Sequence, residues 1–152
     1  MAKSLSATVT LKGGMAFDAT ATSGHSVTLD ADEAVGGHNQ GFRPMEMLLV
    51  GLGGCTAMDV ISLLRKMHQE VTEYQVKVLG SRAEEHPKVY TEITVEHVVR
   101  GKKLSPDMVR RAVELSATRY CPASAMLSKA ARVVHSFRLI DEEVGTEQTG
   151  TL

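Results

Sequence analysis

The sequence predicts an α+β fold. Short alternating segments gather toward both ends of the chain, a long apolar segment with helical period lies between them, and the order reads βββ, α, ββ, αα, β rather than a regular βαβ alternation. Residues 6–12 and 16–22 carry Thr and Val and are joined by Gly13-Gly14, and residues 25–30 follow Ser23-Gly24, which predicts a three-stranded antiparallel meander. Residues 31–40, with Gly36-Gly37 among polar neighbours, read as a loop.

From Pro44 to about Met67 the period changes. Leu48, Leu52, Cys55, Met58 and Leu63 recur at three- and four-residue spacing, and Pro44 suits a first helical turn. Leu49, Val50, Val60 and Ile61 make the first half apolar nearly all round, which predicts a central, buried helix between two strand sets. Gly51, Gly53 and Gly54 each cost that helix roughly 0.5–1 kcal/mol relative to Ala, a cost that implies a backbone packed closely there.

Residues 71–81 and 89–100 alternate, Val76 and Val78 against Gln75 and Lys77, Ile93 and Val95 against Glu92 and Glu96, which is the pattern of strands with one wet face. Ser105-Pro106-Asp107 supplies an N-cap, a first-turn proline and an acidic residue at the positive end of the dipole, opening a helix to about Arg119. Pro122 restarts a helix through Met126, Leu127 and residues 130–133, and residues 135–140 read as the last strand. One domain, residues 1–141, followed by a frayed polar C-terminal tail, residues 142–152, is the expected organisation.

Composition narrows the function. A formal charge of −1 with scattered Lys and Arg lacks the basic footprint of a nucleic-acid binder. The apolar helix is broken by Glu46, three glycines and Asp59, and no basic-then-apolar segment opens the chain, so neither a membrane span nor a secretory signal is predicted and the expected location is cytoplasmic. The six histidines show no close ligand spacing, so no metal site is predicted, and the Gly-Gly pairs lack the strand, loop and helix context of a phosphate loop. An apolar central helix leaves surface over, which points to a dimer.

The two cysteines carry the chemistry. Cys121 precedes Pro122 at a predicted helix start, where the dipole and unpaired N–H groups favour a thiolate; a small buried residue at a helix junction fits the same spacing. Cys55 lies mid-helix with Asp59 one turn on and, taken alone, reads as an inert core thiol whose activation needs a group from elsewhere in the fold.

Pro44-Met-Glu-Met-Leu, then Gly53-Gly54-Cys55, then Leu115-Ser-Ala-x-x-Tyr-Cys121-Pro122 resemble the OsmC/Ohr family of thiol-dependent hydroperoxide reductases across nearly the whole chain. The resemblance implies an intertwined α+β homodimer with sites at the subunit interface. It implies that Cys55 attacks an organic hydroperoxide, that Cys121 resolves the resulting sulfenic acid into a disulfide, that an external dithiol closes the cycle, and that no cofactor is needed. Active family members carry a glutamate directly after the helix-opening proline and an arginine from the N-terminal sheet. Met45 stands at the first position, Glu46 is one residue late and nine from Cys55, and no arginine precedes Arg43. Arg43, Met45 and Glu46 are therefore the candidate activating or pocket residues. The leading expectation is hydroperoxide reduction through a Cys55/Cys121 pair, with Met45, Met47 and Met58 beside Leu48 and Leu52 as an apolar pocket for organic substrates; the rival is a non-enzymatic dimer that holds a small apolar molecule in its interface pocket.

Overall fold

The computed structural model describes residues 2–152, and its contacts divide the chain into two units at Leu48 and Leu49. In the first unit β1 (Ala7–Gly13), β2 (Ala16–Ala21) and β3 (Ser26–Leu29) form the predicted antiparallel meander, with Leu11 opposite Phe17 and Phe17 opposite Leu29. The loop that follows is organised by one carboxylate. Asp30 accepts the backbone N–H groups of Ala31 at 2.7 Å and of His38 and Gln40 at 3.1 Å, and these bonds, that of Ala31 foremost, hold its carboxyl below the usual range. Gly37 is required inside this loop because a Cβ there would run into the Ala31 carbonyl. The unit ends in the first turn of α1 (Pro44–Lys66).

The second unit holds the rest of α1 and a four-stranded sheet in the order β4 (Glu70–Arg82), β5 (Tyr90–Lys102), β6 (Arg132–Asp141), β7 (Glu147–Thr151). β5 and β6 are parallel, which requires a crossover, and the crossover carries α2 (Pro106–Leu115) and α3 (Pro122–Leu127). Ser105 caps α2 as predicted, its side chain accepting the Met108 N–H. Along β5 the inward positions Ile93, Val95, His97 and Val99 are fully buried, and along β6 the same phase buries His135, Phe137 and Leu139. These strands close on Val60 and Leu64 of α1 and on Val109, Ala112 and Val113 of α2 to form the core. Burying each such Val or Leu is worth about 1.5–3 kcal/mol.

Five expectations change. The core stripe of α1 is Leu52, Thr56, Val60 and Leu64, every fourth residue, while Leu48, Val50 and Met58 are exposed, because within one chain only one side of the helix is covered. Of its glycines only Gly53 meets a neighbour, the Val78 side chain, where a Cβ would come within 3.1 Å; around Gly51 and Gly54 the space is open. α3 stops at Leu127 and β6 starts at Arg132, since Val133 and Val134 suit a strand better than a helix. The tail is not frayed: β7 pairs with the outer side of β6, a position that asks for backbone hydrogen bonds rather than apolar side chains. By length and composition α1 is apolar enough to cross a membrane, contrary to the expectation, but it is tied by core packing and by polar bonds from Thr56 and Asp59 and serves as a core helix.

Candidate active site

The chain places its two cysteines together. α2 gives way at Ser116–Tyr120 to a wide turn with a bond from the Cys121 N–H to the Ser116 carbonyl at 2.9 Å, a bulge of the kind that recurs at functional sites. Pro122 then opens α3, and Cys121 is its N-cap, the sulfur accepting the Ser124 N–H at 3.3 Å. Cys55 is half-buried on α1, and its side chain hydrogen-bonds the Cys121 thiol. Both are free thiols.

The cap was expected to favour a Cys121 thiolate; burial outweighs it. With the residue 3% exposed, desolvation pushes the thiol up to about 11, the Ser124 N–H opposes this in part, and the hydrogen bond to Cys55 adds to it by keeping the proton on Cys121. Cys121 is therefore a protonated thiol at neutral pH.

Polar bonds next to each cysteine fix the two helices. Thr56, directly after Cys55, lies 2.8 Å from the Ser116 hydroxyl, and Ser116 donates to Asp59 at 3.0 Å. Thr56 and Ser116 are fully buried, so each hydroxyl needs its partner. On the other side of Cys121, the Ser124 hydroxyl lies 3.2 Å from His135 Nε2. His135 neighbours His97 at a centroid separation of 5.8 Å, and His97 Nδ1 lies 2.6 Å from the Tyr74 hydroxyl. Burial lowers the pKa of both histidines, that of His97 to about 3 with His135 as a second cause, so both imidazoles are neutral at pH 7. Burial, then the nearby Asp59 carboxylate, keeps Tyr74 protonated.

Sequence reasoning missed these histidines as site neighbours, since it searched for ligand spacing along the chain. The available signal was phase: His97 alternates with Val95 and Val99, and His135 with Phe137 and Leu139. Among the described residues no three His, Cys, Asp or Glu side chains converge as a metal-binding group.

The other candidates have local partners. The Arg43 guanidinium donates to Asn39 Oδ1 at 2.9 Å and to the Gly41 carbonyl at 3.1 Å, and lies 3.7 Å from Asp32 Oδ2. Glu46 reaches back to accept the Arg43 N–H at 3.0 Å, one half of a capping box at the start of α1. Met45 is half-buried in that first turn. Of the pocket candidates, Leu52 belongs to the core, and Met58 borders an open cleft with Asp59, Ser62 and Tyr120. An apolar cleft beside α1 is lined by Leu49, Val50, Gly53, Gly54, Ala57 and the β4 valines, Val76 and Val78, and measures about 450 Å³.

The family model for OsmC-like protein matches residues 37–136, about two thirds of the chain, and takes in both cysteines. The chain belongs to the OsmC-like family. Protein YhfA of Escherichia coli K12, at 38% identity over 127 residues, is similar over 84% of this chain and 92% of its own length. The crystal structure of a hypothetical protein from Aquifex aeolicus shares 30% identity, covers 93% of this chain and 99% of its own, and superposes with a TM-score of 0.82. An organic hydroperoxide resistance protein OsmC from Legionella pneumophila, at 15% identity, shares the OsmC-like fold with a TM-score of 0.65 over 89% of this chain and 96% of its own.

Proposed function

We propose that this OsmC-like protein reduces organic hydroperoxides through Cys55 and Cys121. The observation that carries the proposal is the contact between the two free thiols, a half-buried Cys55 beside a buried Cys121. That difference in exposure suits Cys55 as attacker and Cys121 as resolver, the assignment implied by the family resemblance. The Cys55 thiolate attacks the terminal oxygen of ROOH; an S–O bond forms, the O–O bond breaks, and the alkoxide takes a proton to leave as ROH. Cys121 then attacks the sulfenic sulfur; an S–S bond forms, the S–O bond breaks, and hydroxide leaves with the thiol proton as water. An external dithiol restores both thiols by exchange, which fits a reducing, cytoplasmic setting.

The apolar cleft that begins at Gly53 and Gly54, adjoining Cys55 in the chain, suits the organic part of such a peroxide. Exposed Val50 and Met58 on α1 and Leu79 on β4 support a homodimer that covers them. In a test by variants, Cys55→Ser abolishes peroxide turnover, while Cys121→Ser leaves a sulfenic acid that dimedone traps. Wild-type turnover surviving in Cys55→Ser defeats the proposal.

A second reading, a dimer that binds a small apolar molecule without chemistry, is favoured by Met45 at the usual glutamate position and by an Arg43 held by Asp32, Asn39 and Gly41. Ligand-induced stabilisation that persists when both cysteines are replaced by serine supports it.

A further inference from the structure

The two helices that lead to the cysteines meet along an apolar seam, Val60 and Leu64 of α1 against Val109, Ala112 and Val113 of α2. At the level of the cysteines the seam turns polar. Thr56, the residue after Cys55, takes the next position of the α1 stripe, and opposite it stands Ser116, the first residue of the wide turn that ends at Cys121. Both are fully buried.

Ser116 uses every polar group it has. Its one hydroxyl proton goes to Asp59 Oδ2 at 3.0 Å, so the proton in the 2.8 Å contact with Thr56 comes from Thr56. Thr56 and Asp59 are three residues apart on α1 and therefore share a face, so Ser116 grips that helix at two points and fixes both its height and its rotation. On the backbone side, the Ser116 N–H reaches the Ala112 and Val113 carbonyls, and its own carbonyl accepts the Cys121 N–H at 2.9 Å. The side chain thus holds the helix of Cys55, and the carbonyl holds the backbone of Cys121.

Apolar packing is non-directional: it sets how close two helices lie and leaves sliding and rotation weakly specified. Apolar residues would fill this level without the desolvation cost of two hydroxyls, so the hydrogen bonds need a reason beyond packing, and their directionality supplies one. We infer that Ser116 is a positioning residue for disulfide closure, fixing the register of α1 against the turn so that the Cys55 sulfur stays within reach of the Cys121 thiol. The inference rests on the proposed redox role of the pair and names what governs its second step. In that step the Cys121 sulfur attacks a Cys55–S–X bond; an S–S bond forms, the S–X bond breaks, and X leaves with its electron pair and takes up the Cys121 proton. Ser116 touches neither sulfur in this step and acts through Thr56, Asp59 and the Cys121 backbone. Its contribution is the proximity that makes the attack intramolecular.

The test measures closure as an equilibrium, apart from peroxide chemistry. The full-length protein is equilibrated anaerobically with mixtures of reduced and oxidised dithiothreitol, the remaining thiols are alkylated, and the intact mass gives the fraction in the Cys55–Cys121 disulfide. A role confined to stability lowers the reduced and oxidised proteins together and leaves this equilibrium constant where it is. We expect the constant to fall about tenfold in Ser116→Ala and to stay low when Thr56→Val is added to remove the stranded hydroxyl. Thr56→Val alone, which keeps the shape of the side chain, should lower it in the same direction, and Thr56→Ser, which keeps the hydroxyl, should leave it at the wild-type value. A wild-type constant in Thr56→Val and in folded Ser116→Ala, its recovery in the double variant, or no disulfide in the wild type overturns the inference. Consumption of cumene hydroperoxide is followed in parallel. Lowered constants in a protein that ignores the peroxide keep the role of Ser116 and remove the peroxidase reading; unchanged constants in a protein that consumes it do the reverse.

Discussion

The Tyr74 hydroxyl lies 2.6 Å from His97 Nδ1, on a buried sheet face shared with Ile93, Val95, Val99, His135, Phe137 and Leu139. His97 is fully buried, so Tyr74→Phe leaves an imidazole nitrogen without water or partner. The expected cost is about 1–3 kcal/mol of unfolding free energy, measured by urea denaturation. A change near zero shows that the hydroxyl is not needed there.

The buried histidines set the acid limit. His97 has its pKa lowered from 6.5 to about 3, and that of His135 moves the same way, so the unfolded chain binds more protons than the folded one across that interval. Their contribution is complete above pH 6.5 and is lost as pH falls toward 3. Thermal scans should show Tm falling through this window, and a Tm that stays flat in it contradicts the neutral, buried pair.

Cys121 sets the alkaline limit by the opposite sign. Its pKa rises from 9.0 to about 11 on folding, so the stability held by the neutral thiol is present below 9.0 and lost as pH climbs toward 11. Cys121→Ser should flatten that limb of the Tm profile, and an unchanged limb assigns it to other groups.

Ser116 joins Thr56 and Asp59 across 60 and 57 residues of sequence. Ser116→Ala strands a buried threonine hydroxyl and is expected to cost about 1–3 kcal/mol. Adding Thr56→Val should cost much less than the sum of the two single changes, because it removes the stranded group. Simple additivity in that double-mutant cycle sinks the argument.

The exposed apolar side of α1 predicts a dimer whose unfolding is linked to association. Tm should rise with protein concentration. A concentration-independent Tm together with a monomeric mass in solution removes the dimer.

Much of the fold was legible because its local signals agree with its burial. The alternation of β4 and β5, the Ser105-Pro106 start and the Cys121-Pro122 start each have a mechanism that operates within a few residues. What escaped depends on pairings the sequence does not display. β7 is polar and was read as a tail, since an outer strand is recruited by the free backbone of β6 rather than by its own side chains. The side of α1 that faces the core depends on where the sheet lies, so Met58 was placed inward and is exposed. At the site, each cysteine's setting could be read locally, but the pressure on Cys121 could not: a helix cap is visible in sequence, and the burial that overrides it is not. The histidines were in phase with the buried valines, yet only the sheet register sets Tyr74, His97 and His135 in a row.

The central claim is that Cys55 and Cys121 act as one redox pair, and anaerobic thiol counting tests it most directly. Two free thiols should be titrated in the reduced protein and none after one equivalent of cumene hydroperoxide, with both recovered on adding a dithiol. Two thiols persisting after the peroxide would contradict it.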